Sequence, residues 1–133
     1  MTRLFLLIAA LGAILVGATQ LAAQTGNTGW TPYDEAEFTM AQRKGKTIVV
    51  DVHADWCPTC RAQAPILDEL RREHQSADTL FVKVDFDEDK AFLRAHRVPR
   101  QSTVLVFDGV QEVARSIAQT DRSRLRGVVL GAL

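Results

Sequence analysis

The feature that most constrains this chain is a pair of cysteines two residues apart, at the junction of two patterned segments. Cys57 and Cys60 are the only cysteines in the 133-residue sequence. Residues 47–53 before them are rich in β-branched side chains and too few for a helix, which predicts a buried strand. Residues 58–74 after them have a helical apolar spacing. The predicted inward stripe of this helix consists of Ala62, Ile66, Leu67 and Leu70.

Three kinds of site use this cysteine spacing: a structural disulfide, half of a metal site and a redox-active dithiol. A disulfide that closes so short a loop removes little entropy from the unfolded chain, so stability alone is a poor reason for it. A tetrahedral zinc site needs two more ligands, of which His53 can supply one. A redox dithiol needs no further ligand, because the free N–H groups of a helix N-terminus favour a Cys57 thiolate. We favour the redox interpretation.

In the redox interpretation the two cysteines have different tasks. Pro58 fits the first helical position, where no backbone N–H is needed, so Cys57 lies at the entrance of the helix. Cys60 lies about one turn deeper and is expected to be the less exposed cysteine. From there it can reach a mixed disulfide formed on Cys57.

The remaining sequence alternates between helical and strand patterns. Helices are predicted for 34–44, 58–74, 87–96 and 121–130, and strands for 47–53, 80–85, 103–107 and 111–117. Asp108-Gly109 is a hairpin signal, so the last two strands are expected to be antiparallel. This order predicts an α/β fold, a three-layer α-β-α sandwich whose mixed central sheet has about four strands.

The first residues differ in composition from the rest of the chain. Arg3 precedes an apolar run at Leu4–Val16, and small residues follow as far as Ala23. This order is typical of a secretory signal peptide, so we assign residues 1–23 to a signal that is cleaved after Ala23. An uncleaved membrane anchor is the alternative. Either way we expect a periplasmic or otherwise exported protein, in a compartment where disulfides persist.

The rest of the chain is predicted to be one domain. Residues 24–32 are polar and rich in glycine, which indicates a linker, and residues 33–133 form the domain. The 16 basic residues balance 16 acidic residues, so the charge does not favour nucleic acid as a partner. No glycine-rich phosphate-binding motif is present, and we therefore expect no nucleotide or other cofactor.

Residues 49–61, Val-Val-Asp-Val-His-Ala-Asp-Trp-Cys-Pro-Thr-Cys-Arg, resemble the thioredoxin superfamily, and exported bacterial thioredoxin-like proteins in particular. Pro65, eight residues beyond Cys57, belongs to the same pattern. The likeness covers about residues 34–131. It implies thiol–disulfide exchange with protein disulfides through a mixed-disulfide intermediate.

The resemblance also assigns roles within the motif. It implies that Cys57 attacks the substrate, that Cys60 resolves the mixed disulfide and that Trp56 shields the site. Pro58 and Thr59 form the intervening dipeptide, which influences the reduction potential without determining its value. Pro58 directly after the first cysteine resembles the order in glutaredoxins.

Two titratable side chains on the preceding strand are candidates for tuning the cysteines. Asp51 matches the family's buried acid; burial is expected to raise its pKa, which suits proton exchange with Cys60. The alternative is a strand-edge carboxylate facing water. Phe81 stands where many thioredoxins carry a lysine, so Asp51 is expected to lack a cation partner. His53 would lower the pKa of Cys57 as an imidazolium, or else it is a packing residue.

The family carries a cis-proline before its third strand, facing the cysteines, and this sequence has Ser102 there. A cis bond before a residue other than proline costs about 3–4 kcal/mol, so we predict a trans Gln101–Ser102 bond. Gln101, Ser102 and Thr103 form the predicted substrate-binding loop, and the Ser102 hydroxyl can hydrogen-bond a thiolate. If Pro99 is the equivalent residue instead, the loop is longer. The family's proline is thought to discourage metal binding, so its loss supports the metal alternative.

Together these features predict an exported thiol–disulfide oxidoreductase. In an oxidising compartment a reductase needs a membrane electron donor, whereas an oxidase needs a membrane acceptor. A small domain without an inserted helical region resembles reductases more than the dedicated oxidant, so we favour a disulfide reductase. The alternative is a metal-binding or metallochaperone module that uses Cys57, Cys60 and His53.

Overall fold

The computed structural model of the protein describes residues 29–133. The predicted signal, residues 1–23, and the linker as far as residue 28 lie outside the described residues. In the part that is described, no helix has the length and apolar character needed to cross a membrane. The elements are β1 Thr31–Pro32, α1 Glu35–Arg43, β2 Thr47–His53, α2 Pro58–His74, β3 Thr79–Asp85, α3 Lys90–Ala95, β4 Thr103–Asp108, β5 Gln111–Ile117 and α4 Arg122–Leu130.

The strands form one mixed sheet in the order β1-β3-β2-β4-β5. β3 pairs in parallel with β1 and β2, whereas β4 pairs antiparallel with β2 and β5. The predicted α/β class and mixed sheet are confirmed, with five strands instead of about four. The additional strand is β1, where Thr31 pairs with Val82. Residues 31–32, assigned to the linker, are too few to show a strand periodicity in the sequence.

Alternation along the central strand β2 separates two apolar clusters on opposite faces of the sheet. Ile48, Val50 and Val52 belong to a cluster with side chains from α1 and α3, while Val49 belongs to one with side chains from α2 and α4. The three-layer sandwich is thereby confirmed. Asp51 has the same parity as Val49, so its side chain faces the layer that contains α2.

Three residues of the predicted inward stripe of the long helix α2, Ile66, Leu67 and Leu70, are buried, but the fourth is not. Ala62 is exposed, and the neighbouring Gln63 is fully buried together with the apolar residues further along the helix. The helix continues through Pro65, which is itself exposed. The spacing of the apolar residues therefore predicted the helix correctly. It placed Ala62 on the inward face, where Gln63 lies instead.

The helix predicted for residues 87–96 begins later, at Lys90. The reason lies in the acidic segment that precedes it. The Asp85 carboxylate accepts hydrogen bonds from the backbone N–H groups of Asp87 and Glu88, at 2.7 and 3.1 Å. A short acidic side chain that satisfies nearby N–H groups competes with the helix, so these residues form a turn.

Candidate active site

The cysteine pair lies where β2 has ended and α2 begins. Cys57 is the N-cap residue of α2, and its Sγ accepts a hydrogen bond from the backbone N–H of Cys60 at 3.1 Å. The two residues form a disulfide, with their Cα atoms 5.3 Å apart. Pro58 lies in the first turn, where its missing N–H costs no hydrogen bond. The backbone donor and the helix dipole both favour negative charge on the Cys57 sulfur.

Both sulfurs are buried in the disulfide form, so the expected difference in exposure is wrong. Cys57 is 1% exposed and Cys60 is 2% exposed. The two cysteines pack with Ala54 and the partly buried Phe86. On a further side, the Ser102 Oγ lies 3.1 Å from Cys57 Sγ and 3.2 Å from Cys60 Sγ. These neighbours cover the first sulfur as completely as the second.

Ser102 faces the two sulfurs, as the resemblance to the family predicted for this position. No cis peptide bond occurs in residues 29–133, so the Gln101–Ser102 bond is trans. Ser102 adopts a φ of +62°. Its N–H donates to the Val52 carbonyl at 2.8 Å, a hydrogen bond that proline cannot make. Its own carbonyl accepts from the Ala118 N–H at 2.9 Å.

The predicted substrate loop is only partly accessible. Thr103 is fully buried, and its hydroxyl donates to the Arg100 carbonyl at 2.7 Å, which closes the turn before β4. Ser102 is also fully buried, whereas Gln101 is half-buried. Of these three residues, Gln101 is therefore the one that presents surface beside the cysteines.

Asp51 is buried beneath α2 and has a cation partner, so the prediction based on Phe81 is wrong. Asp51 is 3% exposed. The parallel register of β2 and β3 pairs it with Lys83, whose Nζ lies 3.8 Å from Asp51 Oδ2. Phe81 is paired with Val49 instead. The lysine lies two residues after the position predicted from the resemblance. Its pairing with Asp51 depends on the register between two strands, which a single segment of sequence does not determine.

Two opposing effects act on the Asp51 carboxyl group. Burial raises the pKa of Asp51, whereas the nearby charges of Lys83 and His53 lower it in part; Asp68 adds a smaller increase, and the net pKa is raised. Asp51 Oδ1 is buried and has no hydrogen-bond partner within the described chain. The carboxyl group is thus a proton-binding group held under the cysteine helix.

The His53 imidazole lies beside a carboxylate group. Its Nε2 lies 3.4 Å from Oδ1 of the exposed Asp55, and its buried Nδ1 has no hydrogen-bond partner in residues 29–133. In those residues no group of three or more His, Cys, Asp or Glu side chains is arranged to hold a metal ion. His53 lines a surface cavity whose other walls include Trp30, Tyr33, Asp55 and Lys83.

The other motif residues form the surface around the disulfide. The Trp56 ring is 56% exposed, and its Nε1 donates to Asp87 Oδ2 at 2.7 Å. Pro58 is exposed and Thr59 is half-buried. Trp56 is therefore held at the rim of the site by the loop after β3.

Gln63 is a site residue that the sequence analysis missed. It is fully buried, and its Nε2 donates to the Ser102 carbonyl at 3.3 Å and to the Gln119 carbonyl at 2.9 Å. It thereby ties α2 to the segments before β4 and after β5. A signal was available, because Gln63 lies three residues after Cys60 and four before Leu67, on the inward face.

Comparison with known proteins identifies relatives over most of the described chain. The family model described as thioredoxin matches residues 30–130. Thioredoxin-1 of Saccharomyces cerevisiae is 33% identical over 82 residues, which are 62% of this chain and 78% of that protein. Thioredoxin H4 of Arabidopsis thaliana is 31% identical over 104 residues, 78% of this chain and 82% of that protein. The crystal structure of Trxlp from Edwardsiella tarda EIB202 has a TM-score of 0.66 and 45% identity, covering 71% of this chain and 91% of that one.

Proposed function

The chain belongs to the thioredoxin family, and from this membership we propose that it is an exported disulfide reductase in which Cys57 attacks and Cys60 resolves. Its class is thiol–disulfide oxidoreductase, and proteins of this class act on protein disulfides. The observation that carries the proposal is Cys57 at the N-cap of α2, with its sulfur accepting the Cys60 N–H. This position stabilises a thiolate, the form of the sulfur that attacks a disulfide.

The first step forms one sulfur–sulfur bond and breaks another. The Cys57 thiolate of the reduced protein attacks one sulfur of the substrate disulfide. The substrate's second sulfur leaves as a thiolate and takes up a proton from solvent. The products are a mixed disulfide between Cys57 and the substrate, and one free substrate thiol.

The second step regenerates the disulfide that the structure contains. Cys60 gives up its proton, and its thiolate attacks the Cys57 sulfur of the mixed disulfide. The remaining substrate sulfur leaves as a thiolate and is protonated. Two electrons have passed from the dithiol to the substrate. We assign the Cys60 proton to Asp51, because burial beneath α2 raises the pKa of this carboxyl group and so makes it a better proton acceptor than an exposed carboxylate. Its partner Lys83 lines a surface cavity, which gives the proton a route to solvent.

Export and direction of electron flow rest on the sequence. Residues 1–23 have the order of a secretory signal, and an exported reductase needs electrons from a membrane donor protein. Between Gly29 and Leu133, the residues that the structure describes, there is no helical insertion of the kind found in the dedicated oxidant, and this favours a reductase. A mature chain that begins at Gln24, measured by mass spectrometry of the protein recovered from a periplasmic extract, would support export; full-length protein in the cytosol would contradict it.

The direction of the reaction is tested by equilibrium with glutathione. A reductase is expected to have a potential near that of thioredoxin, about −270 mV, whereas a strong oxidant lies near about −120 mV. Insulin reduction with dithiothreitol tests turnover, with Cys57→Ser as the inactive control and bound metal measured on the same preparation. Stoichiometric metal without insulin turnover would contradict the proposal and favour the metal-binding alternative.

A further inference from the structure

The Ser102 hydroxyl is placed within hydrogen-bond distance of both reacting sulfurs. Its Oγ is 3.1 Å from Cys57 Sγ and 3.2 Å from Cys60 Sγ, although Ser102 is more than forty positions away along the chain. We propose that Ser102 is a further catalytic residue, whose hydroxyl donates its proton in a hydrogen bond to whichever sulfur carries the negative charge. This inference rests on the proposed roles of Cys57 and Cys60.

Three hydrogen bonds hold the Ser102 backbone in place beside the sulfurs. The Ser102 N–H donates to the Val52 carbonyl, and the Ser102 carbonyl accepts from the Ala118 N–H and, at 3.3 Å, from Gln63 Nε2. Val52 belongs to β2, Gln63 belongs to α2, and Ala118 directly follows β5. Ser102 is fully buried as well. A donor fixed in this way stabilises a charge without first having to reorganise.

The negative charge moves from one sulfur to the other during the reaction, so a donor that serves both sulfurs must change partner. A hydroxyl has one proton to donate and two lone pairs that accept. In the reduced protein it donates to the Cys57 thiolate while accepting from the Cys60 S–H. Once Cys57 is bonded to the substrate, rotation about the Cβ–Oγ bond lets the same hydroxyl donate to the Cys60 thiolate. The hydroxyl keeps its proton throughout, so the electron and proton balance of both steps is unchanged.

The family's proline cannot supply this interaction, because it has neither a side-chain hydroxyl nor a backbone N–H. A donor that favours the thiolate also favours the reduced form of the couple over the disulfide. Ser102 therefore makes the disulfide easier to reduce than it would be without the hydroxyl. It also increases the fraction of Cys57 that is thiolate at a given pH.

The test is the pH profile of Cys57 alkylation by iodoacetamide in the reduced protein, with the modified residue identified by mass spectrometry. Ser102→Ala is expected to raise the pKa of Cys57 by about one unit, which slows alkylation about tenfold below that pKa. The glutathione equilibrium is expected to shift about tenfold toward the disulfide, or about 30 mV more negative. Ser116→Ala, at a second buried serine on β5, is the matched control and should change neither quantity.

Ser102→Gly separates the hydroxyl from the backbone. Glycine adopts a φ of +62° without strain and retains the N–H, so the alanine and glycine variants share only the loss of the hydroxyl. Equal shifts in both variants support the proposal. Values within twofold of the unmodified protein in either variant would overturn it.

The second half of the proposal concerns Cys60. In a Cys57→Ala background, adding Ser102→Ala is expected to raise the pKa of the Cys60 thiol as well. An unchanged Cys60 pKa would overturn the exchange of partners. These pKa and equilibrium measurements need no turnover. If the protein fails to reduce insulin but the Ser102 variants still shift the cysteine pKa values, the proposed reductase function is rejected and the role of the Ser102 hydroxyl is retained.

Discussion

At the scale of single residues, Asp51 is held in a buried position by interactions that only partly compensate its charge. Lys83 Nζ lies 3.8 Å from one carboxylate oxygen, whereas the other oxygen has no partner within the described residues. Burial is the largest effect and raises the pKa of Asp51. A charged carboxylate in this setting destabilises the fold, and its raised pKa is consistent with the proton-accepting role that we propose for it.

Asp51→Asn is expected to stabilise the protein and slow turnover. Because the pKa of Asp51 is raised in the folded state, the native protein keeps a proton that the unfolded chain loses above about pH 4. Stability therefore falls as pH rises from there to the folded pKa, and the asparagine variant lacks this fall. We expect the variant to be about 1–3 kcal/mol more stable at pH 8 and nearly equal at pH 3, by urea unfolding.

The matched control is Asp78→Asn, because Asp78 is exposed and far along the chain from the cysteine motif. Its stability difference from the unmodified protein is expected to stay near zero at both pH values. A stability gain for Asp51→Asn that is the same at pH 3 and pH 8 would show that ionisation of Asp51 is not the cause.

Ser102→Pro introduces the residue that the resemblance to the family predicts at this position, and we nevertheless expect it to destabilise this protein. Ser102 has a φ of +62°, whereas proline is fixed near −65°. Proline also removes the donor to the buried Val52 carbonyl. The expected loss is at least about 2 kcal/mol, measured by urea unfolding, while Ser102→Gly should cost less because it keeps both the N–H and the φ. A proline variant at least as stable as the glycine variant would contradict this.

At the scale of elements, the site is assembled where α2, the turn before β4 and the segment after β5 meet. Gln63 joins all three, because it projects from α2 and donates to the carbonyls of Ser102 and Gln119. The buried amide thereby links the helix that follows Cys57 to the segment that carries the Ser102 hydroxyl.

Gln63→Ala is expected to lower both stability and insulin turnover. The substitution leaves a cavity and deprives two carbonyls of a donor, which together cost about 2–4 kcal/mol in urea unfolding. Arg72→Ala, at an exposed position on the same helix, is the control and should stay within about 0.5 kcal/mol of the unmodified protein. A Gln63→Ala protein as stable as the Arg72→Ala protein would show that the amide does not hold the elements together.

At the scale of the whole molecule, the sheet topology brings distant parts of the chain to one end of the domain. The end of β2 delivers the cysteine motif, and antiparallel β4 begins beside it, so Ser102 arrives against the sulfurs. The loop after β3 adds Asp87, which holds the Trp56 ring. As a result, the two cysteines are buried, and the partly exposed Trp56 lies at the edge of the site.

Local patterns were sufficient for much of this architecture. Strand β2 and helix α2 were predicted with their observed bounds, because β-branched residues and helical spacing act within a single segment. The pairing of Asp51 with Lys83 was not predicted, because it depends on the register between two strands that a helix separates in the sequence. The hydrogen bonds of Gln63 likewise depend on segments far along the chain. The resemblance to the family predicted that Ser102 lies near the cysteines. Only the structure shows that its hydroxyl is within hydrogen-bond distance of both sulfurs.

The most direct measurement of the central claim is where a mixed disulfide accumulates when one cysteine is removed. Reduced Cys60→Ser and Cys57→Ser proteins are each treated with oxidised glutathione, and the adduct is located by peptide mass spectrometry. We predict that Cys57 of the Cys60→Ser protein is modified at least about tenfold faster than Cys60 of the Cys57→Ser protein, because Cys57 is the helix N-cap. Equal rates, or faster modification of Cys60, would contradict the assignment of Cys57 as the attacking cysteine.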